Sequence, residues 1–300
     1  MTRRERLPEW LRPSRTGSQA RYARVRRRLA EDQLHTVCEE ACCPNRGECW
    51  GKGTATLLLL GAVCTRACRF CAVKSGDPGG VIDGTEPSRA AETVNSLDLD
   101  YVVLTSVTRD DLPDGGAGIY AAAARAIKER RPDCRLEALV PDFAGDQESL
   151  ETVLAAPYDV VAHNVEVVRR LTPLVRDRRA SFERSLEVLR RIRAHSPARV
   201  AKSSLMLGLG EHESDVRESL ALLLEAGVSI LTLGQYLQPT LQHLPVASYV
   251  PPERFDEWRR EALALGFAQV IAGPLVRSSY NARECYRSCG DSIGAVWSPR

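Results

Sequence analysis

The sequence has few of the features that mark membrane-spanning, exported or nucleic-acid-binding proteins. Its longest apolar run, residues 57–63, is far too short to cross a bilayer. Its first residues lack the apolar core and small-residue cleavage site of a signal peptide, so we expect a cytoplasmic protein. The formal net charge is only +2, which implies no general affinity for nucleic acid. A basic, aromatic-rich segment of the kind found in RNA-binding modules is also missing.

Histidine is scarce, with five residues in the chain. Four of them are scattered, and no two are spaced as a metal-binding pair. We interpret these four as surface or packing residues: His35, His195, His212 and His243.

Cysteine, in contrast, is abundant and unevenly distributed. There are ten cysteines, and most of them lie in one short segment. A disulfide framework needs an oxidising compartment, whereas clustering of this kind indicates metal binding. The clustered residues are Cys38, Cys42, Cys43, Cys49, Cys64, Cys68 and Cys71.

The later cysteines, Cys64, Cys68 and Cys71, are separated by three residues and then by two. The apolar run 56–63 precedes them and predicts a buried strand, so the three thiols are expected on a loop at its end. Three thiolates suit a four-iron cluster whose fourth iron stays open to bind another molecule. A zinc site is the alternative, although zinc prefers four protein ligands. The spacing resembles the signature of radical S-adenosylmethionine (SAM) enzymes, in which the open iron binds SAM.

The earlier cysteines predict a second cluster. Cys38, Cys43 and Cys49 are separated by four and five residues, which does not fit one face of a helix. Pro44 and Gly47 lie among these cysteines and break regular structure, so the chain can wrap around a cluster. Because adjacent cysteines rarely both reach one cluster, we leave Cys42 out of the ligand set.

Downstream, apolar runs of strand length alternate with stretches of helix length. This alternation predicts parallel strands joined by right-handed crossovers. With the run before Cys64, it predicts an α/β fold, a partial (β/α)6 barrel of TIM type. The predicted strands are 101–107, 135–140, 158–162, 200–207, 229–234 and 267–272, and the predicted helices are 18–34, 117–130, 146–155, 181–194, 213–226 and 252–265.

The two cysteine groups, together with several later motifs, resemble the lipoyl synthase family of radical SAM enzymes. The resemblance runs from about residue 8 to residue 280, and the paired cysteine motifs with the terminal Arg-Ser-Ser-Tyr are highly specific. The later motifs are TSVTRDDLPDGG at 105–116, HNVE at 163–166, LTP at 171–173, KSSLMLGLGE at 202–211, TLGQYLQPT at 232–240 and GPLVRSSY at 273–280.

The resemblance divides the chain into three segments and completes the second cluster. It implies an N-terminal arm with the second, auxiliary cluster (1–54), the radical SAM partial barrel (55–272) and a C-terminal cluster-capping segment (273–300). It also implies that Ser279 ligates the fourth iron of the auxiliary cluster. A hard oxygen ligand on iron is displaced more easily than a soft thiolate. Arg277 is expected to stabilise this corner or to help release the serine.

Candidate SAM contacts come from polar residues at the predicted C-terminal ends of the strands, where α/β barrels place their active groups. A glycine-containing strand that resembles the adenine-packing strand of radical SAM proteins adds two more. The candidates are Thr105, Asn164, Glu166, Lys202, Gly208, Gly210 and Gln235.

The activity implied by the resemblance is that of a sulfurtransferase. It inserts two sulfur atoms, at C6 and C8, into an octanoyl chain linked to a lysine of a lipoyl-carrier domain. Acid–base groups cannot attack such unactivated C–H bonds, whereas a radical can. The implied cofactors are two 4Fe–4S clusters and two SAM molecules per lipoyl group, with the auxiliary cluster supplying the sulfur.

The implied partners are octanoylated carriers, namely 2-oxoacid dehydrogenase E2 subunits and the glycine cleavage H protein. An electron donor and an iron–sulfur carrier that rebuilds the auxiliary cluster are also expected, without nucleic acid or membrane. Two other hypotheses stay open at this point. One is another radical SAM sulfur-inserting enzyme, methylthiotransferase or biotin-synthase-like, and the other is a non-catalytic protein that binds a metal or cluster.

Roles can also be predicted for residues 1–34 and for the remaining cysteines. We expect the N-terminal residues to form an arm that closes over the cluster region and helps to receive the carrier. Cys134 lies beside a predicted strand and is expected to be a core thiol. Cys285 and Cys289 lie in a predicted tail and are interpreted as incidental.

Overall fold

A computed structural model describes residues 7–13, 17–196 and 199–296 of the chain, with 290–296 described as backbone only. The predicted arm and C-terminal segment therefore lie partly outside the described residues. Within the described part, no helix combines the length and apolar character needed to span a membrane.

The core is an eight-stranded sheet in the order β1-β2-β5-β6-β7-β8-β9-β10. All neighbouring pairs are parallel except β1 and β2, which are antiparallel. Two short strands, β3 and β4, form a separate parallel ladder. The strands are β1 His35–Thr36, β2 Thr56–Leu59, β3 Val63–Cys64, β4 Lys74–Ser75, β5 Tyr101–Ser106, β6 Arg135–Leu139, β7 Val160–Ala162, β8 Val200–Leu207, β9 Ile230–Gln235 and β10 Gln269–Gly273.

Helices connect the parallel strands. The helices are α1 Gln19–Glu31, α2 Val37–Glu40, α3 Arg46–Gly51, α4 Glu86–Ser96, α5 Ala117–Arg130, α6 Gln147–Leu154, α7 Thr172–Val175, α8 Phe182–His195, α9 Glu213–Glu225, α10 Pro252–Leu265 and α11 Ala282–Val296. Short 3-10 helices lie at Glu9–Leu11, Phe143–Gly145 and Arg169–Leu171.

The predicted α/β class and partial barrel are confirmed. Six strand–helix units run from β2 to α10, and β10 follows them as a seventh parallel strand. Among the described strands, β1 and β10 form the two edges, so the sheet stays open rather than closing into a ring. The strands are buried on both faces, which explains their continuous apolar runs. The three-segment division stays a prediction, although β1 of the arm pairs with the barrel strand β2.

The C-terminal tail differs from its prediction, because residues 282–296 form helix α11. Cys289 is fully buried against Val160, Val200 and Ile230, the first residues of three neighbouring strands. Cys285 is also buried. The sequence did contain a sign of this helix, because the two cysteines are four residues apart and such a spacing places them on one helix face. Cys289 therefore belongs to the packing of α11 on the sheet, while the prediction that neither thiol is a metal ligand stays a prediction.

Helix α4 was also missed by the sequence analysis. Pro87 occupies the first turn of this helix. Backbone N–H groups in the first turn have no partner within the helix, so a proline there costs no hydrogen bond. The glycine- and proline-rich stretch before it obscured its apolar face. The helix buries Ala90, Ala91 and Val94 beside α5, as a crossover between β2 and β5 requires.

Candidate active site

One cavity of about 1200 Å³ lies at the C-terminal ends of the strands. Side chains that are far apart in the sequence meet on its walls. All the predicted cluster ligands line it, together with Arg277: Cys38, Cys43, Cys49, Cys64, Cys68, Cys71 and Ser279. The fold thus brings both cysteine groups and the serine to one space.

The loop that carries the later cysteines is fixed by a buried guanidinium. Arg66 is 6 % exposed, and its Nη2 donates to Asp110 Oδ1 at 2.8 Å and to Asp142 Oδ1 at 2.6 Å. Burial opposes ionisation of the two carboxyl groups, but the hydrogen bonds from Arg66 outweigh it and lower both pKa values. Since the aspartates follow β5 and β6, the loop is tied to two strand ends.

Backbone N–H groups point at the sulfur atoms of this loop. The thiol of Cys64 accepts from the N–H groups of Arg66 and Thr108, each at 3.4 Å. The thiol of Cys68 accepts from the N–H of Asp177 at 3.3 Å. Burial raises the pKa of Cys71 to about 12, partly offset by the N–H of Val73. Such donors reduce the cost of the thiolate form, which is the form that binds iron.

His243, interpreted from the sequence as a surface or packing residue, contacts this loop directly. Its Nε2 donates to the carbonyl oxygen of Cys71 at 2.9 Å, while its Nδ1 accepts from Thr240 Oγ1 at 2.8 Å. The N–H of Leu244 donates to the carbonyl oxygen of Arg69 at 3.2 Å. The contact spans 172 positions of sequence, so no local pattern announced it.

The earlier cysteines are held by two short helices at the edge of the sheet. Cys38 lies in α2, which Thr36 caps, and Cys49 lies in α3. Burial raises the pKa of Cys38 to about 11. Burial, followed by the thiols of Cys38 and Cys43, raises the pKa of Cys49 to about 12. The three thiols therefore lie within electrostatic range of one another.

The segment that contains Ser279 is bound to the same two helices. Asn45 Nδ2 donates to the carbonyl oxygen of Leu275 at 2.6 Å, and the Tyr280 hydroxyl donates to Glu48 Oε1 at 3.2 Å. Burial lowers the pKa of Arg277, and the nearby Cys43 thiol opposes that shift. Two hydrogen bonds thus bracket Ser279 on the wall beside the earlier cysteines.

Neither cysteine group is arranged around a single ion. Among the described residues, no group of three or more histidine, cysteine, aspartate or glutamate side chains is placed to hold one metal ion. A mononuclear zinc site needs its ligands to converge on one atom. An iron–sulfur cluster takes one thiolate per iron, so more widely spaced thiols fit it. Cys42 is exposed, although it lines the cavity.

Of the predicted SAM contacts, Thr105, Asn164, Glu166 and Gln235 line the cavity. Two of these side chains are hydrogen bonded to the backbone. Thr105 Oγ1 donates to the carbonyl oxygen of Leu139 at 3.0 Å, and Gln235 Oε1 accepts from the N–H of Val250 at 2.8 Å.

The other polar groups on this wall keep free hydrogen-bonding capacity. Asn164 Nδ2 donates to Glu166 Oε1 at 3.1 Å, but Asn164 Oδ1 is buried without a partner. The hydroxyl of Ser106, a neighbour of Thr105 at the end of β5, is buried without a partner too. Since buried polar groups are normally satisfied, both atoms are suited to meet a polar ligand in the cavity.

The remaining predicted SAM contacts, Lys202, Gly208 and Gly210, do not line the cavity, so the structure does not support that role. Lys202 Nζ donates to Glu137 Oε1 at 2.7 Å, and both side chains are 1 % exposed. A Cβ on Gly208 would lie 2.0 Å from Gln235 Nε2. Gly208 therefore allows close packing of the chain on Gln235, with no cofactor needed to explain it.

A buried histidine beside the cavity predicts a pH dependence of stability. Burial lowers the pKa of His163 to about 4, from 6.5. The unfolded state takes up a proton below pH 6.5 and the folded state does not, so stability is complete above pH 6.5 and falls as the pH drops toward 4. We expect a loss of about 2 kcal/mol between pH 6.5 and pH 5.

Urea unfolding at the two pH values measures this loss. His163 donates from Nδ1 to the carbonyl oxygen of Val140 and accepts at Nε2 from the Ser185 hydroxyl. His163→Gln keeps one donor and one acceptor but does not titrate, so it should flatten the pH dependence. His195→Gln, at an exposed position, is the matched control and should leave it unchanged. An equal pH dependence in His163→Gln and the parent would contradict the assignment.

Comparisons with known proteins show the family of the chain. The family model of the radical SAM superfamily matches residues 58–223. The lipoyl synthase of Thermus thermophilus is 56% identical over 276 residues, which cover 92% of this chain and 85% of that one. The lipoyl synthase of Deinococcus radiodurans is 53% identical over 281 residues, covering 94% and 85%. That of Pyrobaculum calidifontis is 54% identical over 282 residues, covering 93% and 96%.

Solved structures share the fold at low sequence identity. SuiB of Streptococcus suis, solved with S-adenosylmethionine bound, has a TM-score of 0.56 at 10% identity, over 76% of this chain and 54% of that one. HydG, a maturase of the FeFe hydrogenase, has a TM-score of 0.51 at 12% identity, over 76% and 58%. The curated relatives match most of the chain at more than half identity, so the chain belongs to the lipoyl synthase family of the radical SAM superfamily.

Proposed function

We propose that this chain inserts two sulfur atoms, at C6 and C8, into an octanoyl group carried on a lysine of a lipoyl-carrier protein. Membership of the lipoyl synthase family supports the reaction. The observation that carries it is that both cysteine groups and Ser279 line the same cavity. When bound there, the two clusters and SAM supply the radical that removes hydrogen and the sulfur that replaces it.

The two cysteine groups take different roles. Cys64, Cys68 and Cys71 hold the cluster that binds SAM, on a loop that Arg66 fixes to two strand ends. Cys38, Cys43, Cys49 and Ser279 hold the auxiliary cluster that provides sulfur, because their segments are joined through Asn45 and Tyr280.

The chain's other side chains position SAM and close the auxiliary site. Ser106 Oγ and Asn164 Oδ1 are buried polar atoms on the cavity wall that remain free to bind the polar groups of SAM. The half-buried guanidinium of Arg277 lies near Cys43 and compensates negative charge on the thiolates. Ser279 would hold the fourth corner of the auxiliary cluster, where its hard oxygen would be displaced more easily than the three thiolates.

We also propose the specific partners of the chain. The carriers are 2-oxoacid dehydrogenase E2 subunits and the glycine cleavage H protein, in the cytoplasm and without nucleic acid or membrane. A reductant delivers electrons and an iron–sulfur carrier rebuilds the auxiliary cluster. Leu7 of the arm is 45% exposed and lines the cavity, which supports a role of the arm in receiving the carrier.

An anaerobic assay tests the reaction. The chain is reconstituted with iron and sulfide and given SAM, dithionite and an octanoyl-lysine peptide, with an acetyl-lysine peptide as the matched control. Mass spectrometry should show two sulfurs in place of two hydrogens in the octanoyl peptide only, with release of 5′-deoxyadenosine. If 5′-deoxyadenosine forms while the octanoyl peptide stays unchanged, the substrate is wrong. If neither forms in a cluster-loaded protein, the proposed catalysis is wrong.

A further inference from the structure

A buried indole stands beside the auxiliary cysteines without a hydrogen-bond partner. Trp50 directly follows Cys49 and is 1 % exposed. Its Nε1 is one of the few buried side-chain nitrogens among the described residues that have no partner. An indole nitrogen can only donate, so an acceptor is needed to satisfy it. Most buried donors in proteins have one.

One group able to accept from it is a predicted cluster ligand. The indole N–H of Trp50 and the backbone N–H of Thr56 both act on the Cys38 thiol to lower its pKa, against the burial that raises it, although the indole forms no complete hydrogen bond. Trp50 and Cys38 are members of the same buried core. The thiol is a weak acceptor, whereas a thiolate bound to iron carries more negative charge and accepts more strongly.

The orientation of the indole is fixed by residues outside the cysteine groups. Tyr22 of α1 packs on the ring with centroids 5.3 Å apart, and the Arg46 guanidinium lies 5.7 Å from the ring centroid. These two contacts, in a closely packed interior, leave the ring little freedom to turn its nitrogen elsewhere. Helix α1 therefore helps to set the direction of the Trp50 indole N–H, because it carries Tyr22.

We propose that Trp50 is a positioning residue of the auxiliary cluster, donating its indole N–H to the Cys38 sulfur once that sulfur is bound to iron. The proposal rests on the proposed function for the ligand set. Hydrogen bonds to sulfur stabilise the more negative, reduced cluster and so raise its reduction potential. Trp50 thereby keeps the auxiliary cluster easier to reduce than the same ligands alone would make it.

The experiment uses the full chain with Cys64, Cys68 and Cys71 replaced by alanine, so that only the auxiliary cluster is present. Trp50→Phe retains the ring packing on Tyr22 but removes the N–H. The matched control is Trp258→Phe in α10, where the ring is buried between Arg217 and Arg254. We expect a more negative reduction potential in Trp50→Phe than in Trp258→Phe, at equal iron content. Equal potentials in the two variants would overturn the proposal.

A second measurement does not depend on how the variant folds. The same chain carrying indole-¹⁵N tryptophan is reduced, and pulsed electron paramagnetic resonance should detect a ¹⁵N coupling to the cluster. A cluster without that coupling overturns the role of Trp50 alone. Failure of this chain to bind iron overturns the ligand set as well, so the two failures are distinguishable.

Discussion

A chain with Cys64→Ala, Cys68→Ala and Cys71→Ala should release no 5′-deoxyadenosine and form no sulfur-containing product. These thiols lie on the loop that Arg66 fixes, and no other described thiol on this side of the cavity can replace them. The auxiliary ligands are on other elements, so about four irons per chain should remain bound. Iron analysis and chromatography of the SAM products measure both effects.

The reciprocal variant makes the assignment specific. Cys38→Ala, Cys43→Ala and Cys49→Ala should also leave about four irons, but 5′-deoxyadenosine should still form while sulfur insertion is lost. Cys42→Ser is the control for general damage, because this thiol is exposed and adjacent to Cys43. Deoxyadenosine release from the first variant, or sulfur insertion by the second, would contradict the division of roles.

Much of this arrangement follows from local patterns. Strand-length apolar runs and helix-length stretches predicted five of the six strand–helix units, the strand of the first unit and the final strand, to within about two residues for most elements. Parallel strands buried on both faces leave the continuous apolar runs that make this possible. The spacings of Cys64, Cys68 and Cys71 predicted a shared site, because these three residues are close in sequence.

What the sequence did not reveal depends on contacts between distant residues. His243 reaches Cys71 from a segment without regular structure, so its position has no periodic signal. Lys202 lies at a strand position that could face the site, and only its ion pair with Glu137, which is two strands away on β6, shows that it is buried outside the cavity lining. The sequence contains His243 and Lys202, but it does not show which distant residues they contact in the fold.

Gly234→Ala should separate the C-terminal segment from the auxiliary site. Gly234 lies near the end of β9, where a Cβ would stand 2.1 Å from the carbonyl oxygen of Val276. That oxygen belongs to the backbone and cannot rotate away, so the strand and the segment must move apart. Overpacking of this kind typically costs about 1–3 kcal/mol of stability. The movement carries Arg277 and Ser279 away from the earlier cysteines.

The expected result is a selective loss. Sulfur insertion should fall on the order of 100-fold, because a small misplacement of a reacting group has an effect of that size. Release of 5′-deoxyadenosine should persist, since the loop at Cys64 has no contact with this segment among its hydrogen bonds. Quantifying both products from one reaction gives their ratio directly.

Gly47→Ala is the matched control for the same change of residue. Gly47 lies in α3 between Cys43 and Cys49, and a Cβ there meets nothing within 4 Å. Alanine in a helix is favoured over glycine by about 1 kcal/mol, so stability and both products should be maintained or improved. If Gly234→Ala behaves like Gly47→Ala, the approach of Val276 to β9 does not place Ser279. If it loses both products equally, the damage extends to the SAM site and the two halves of the cavity are coupled through β9.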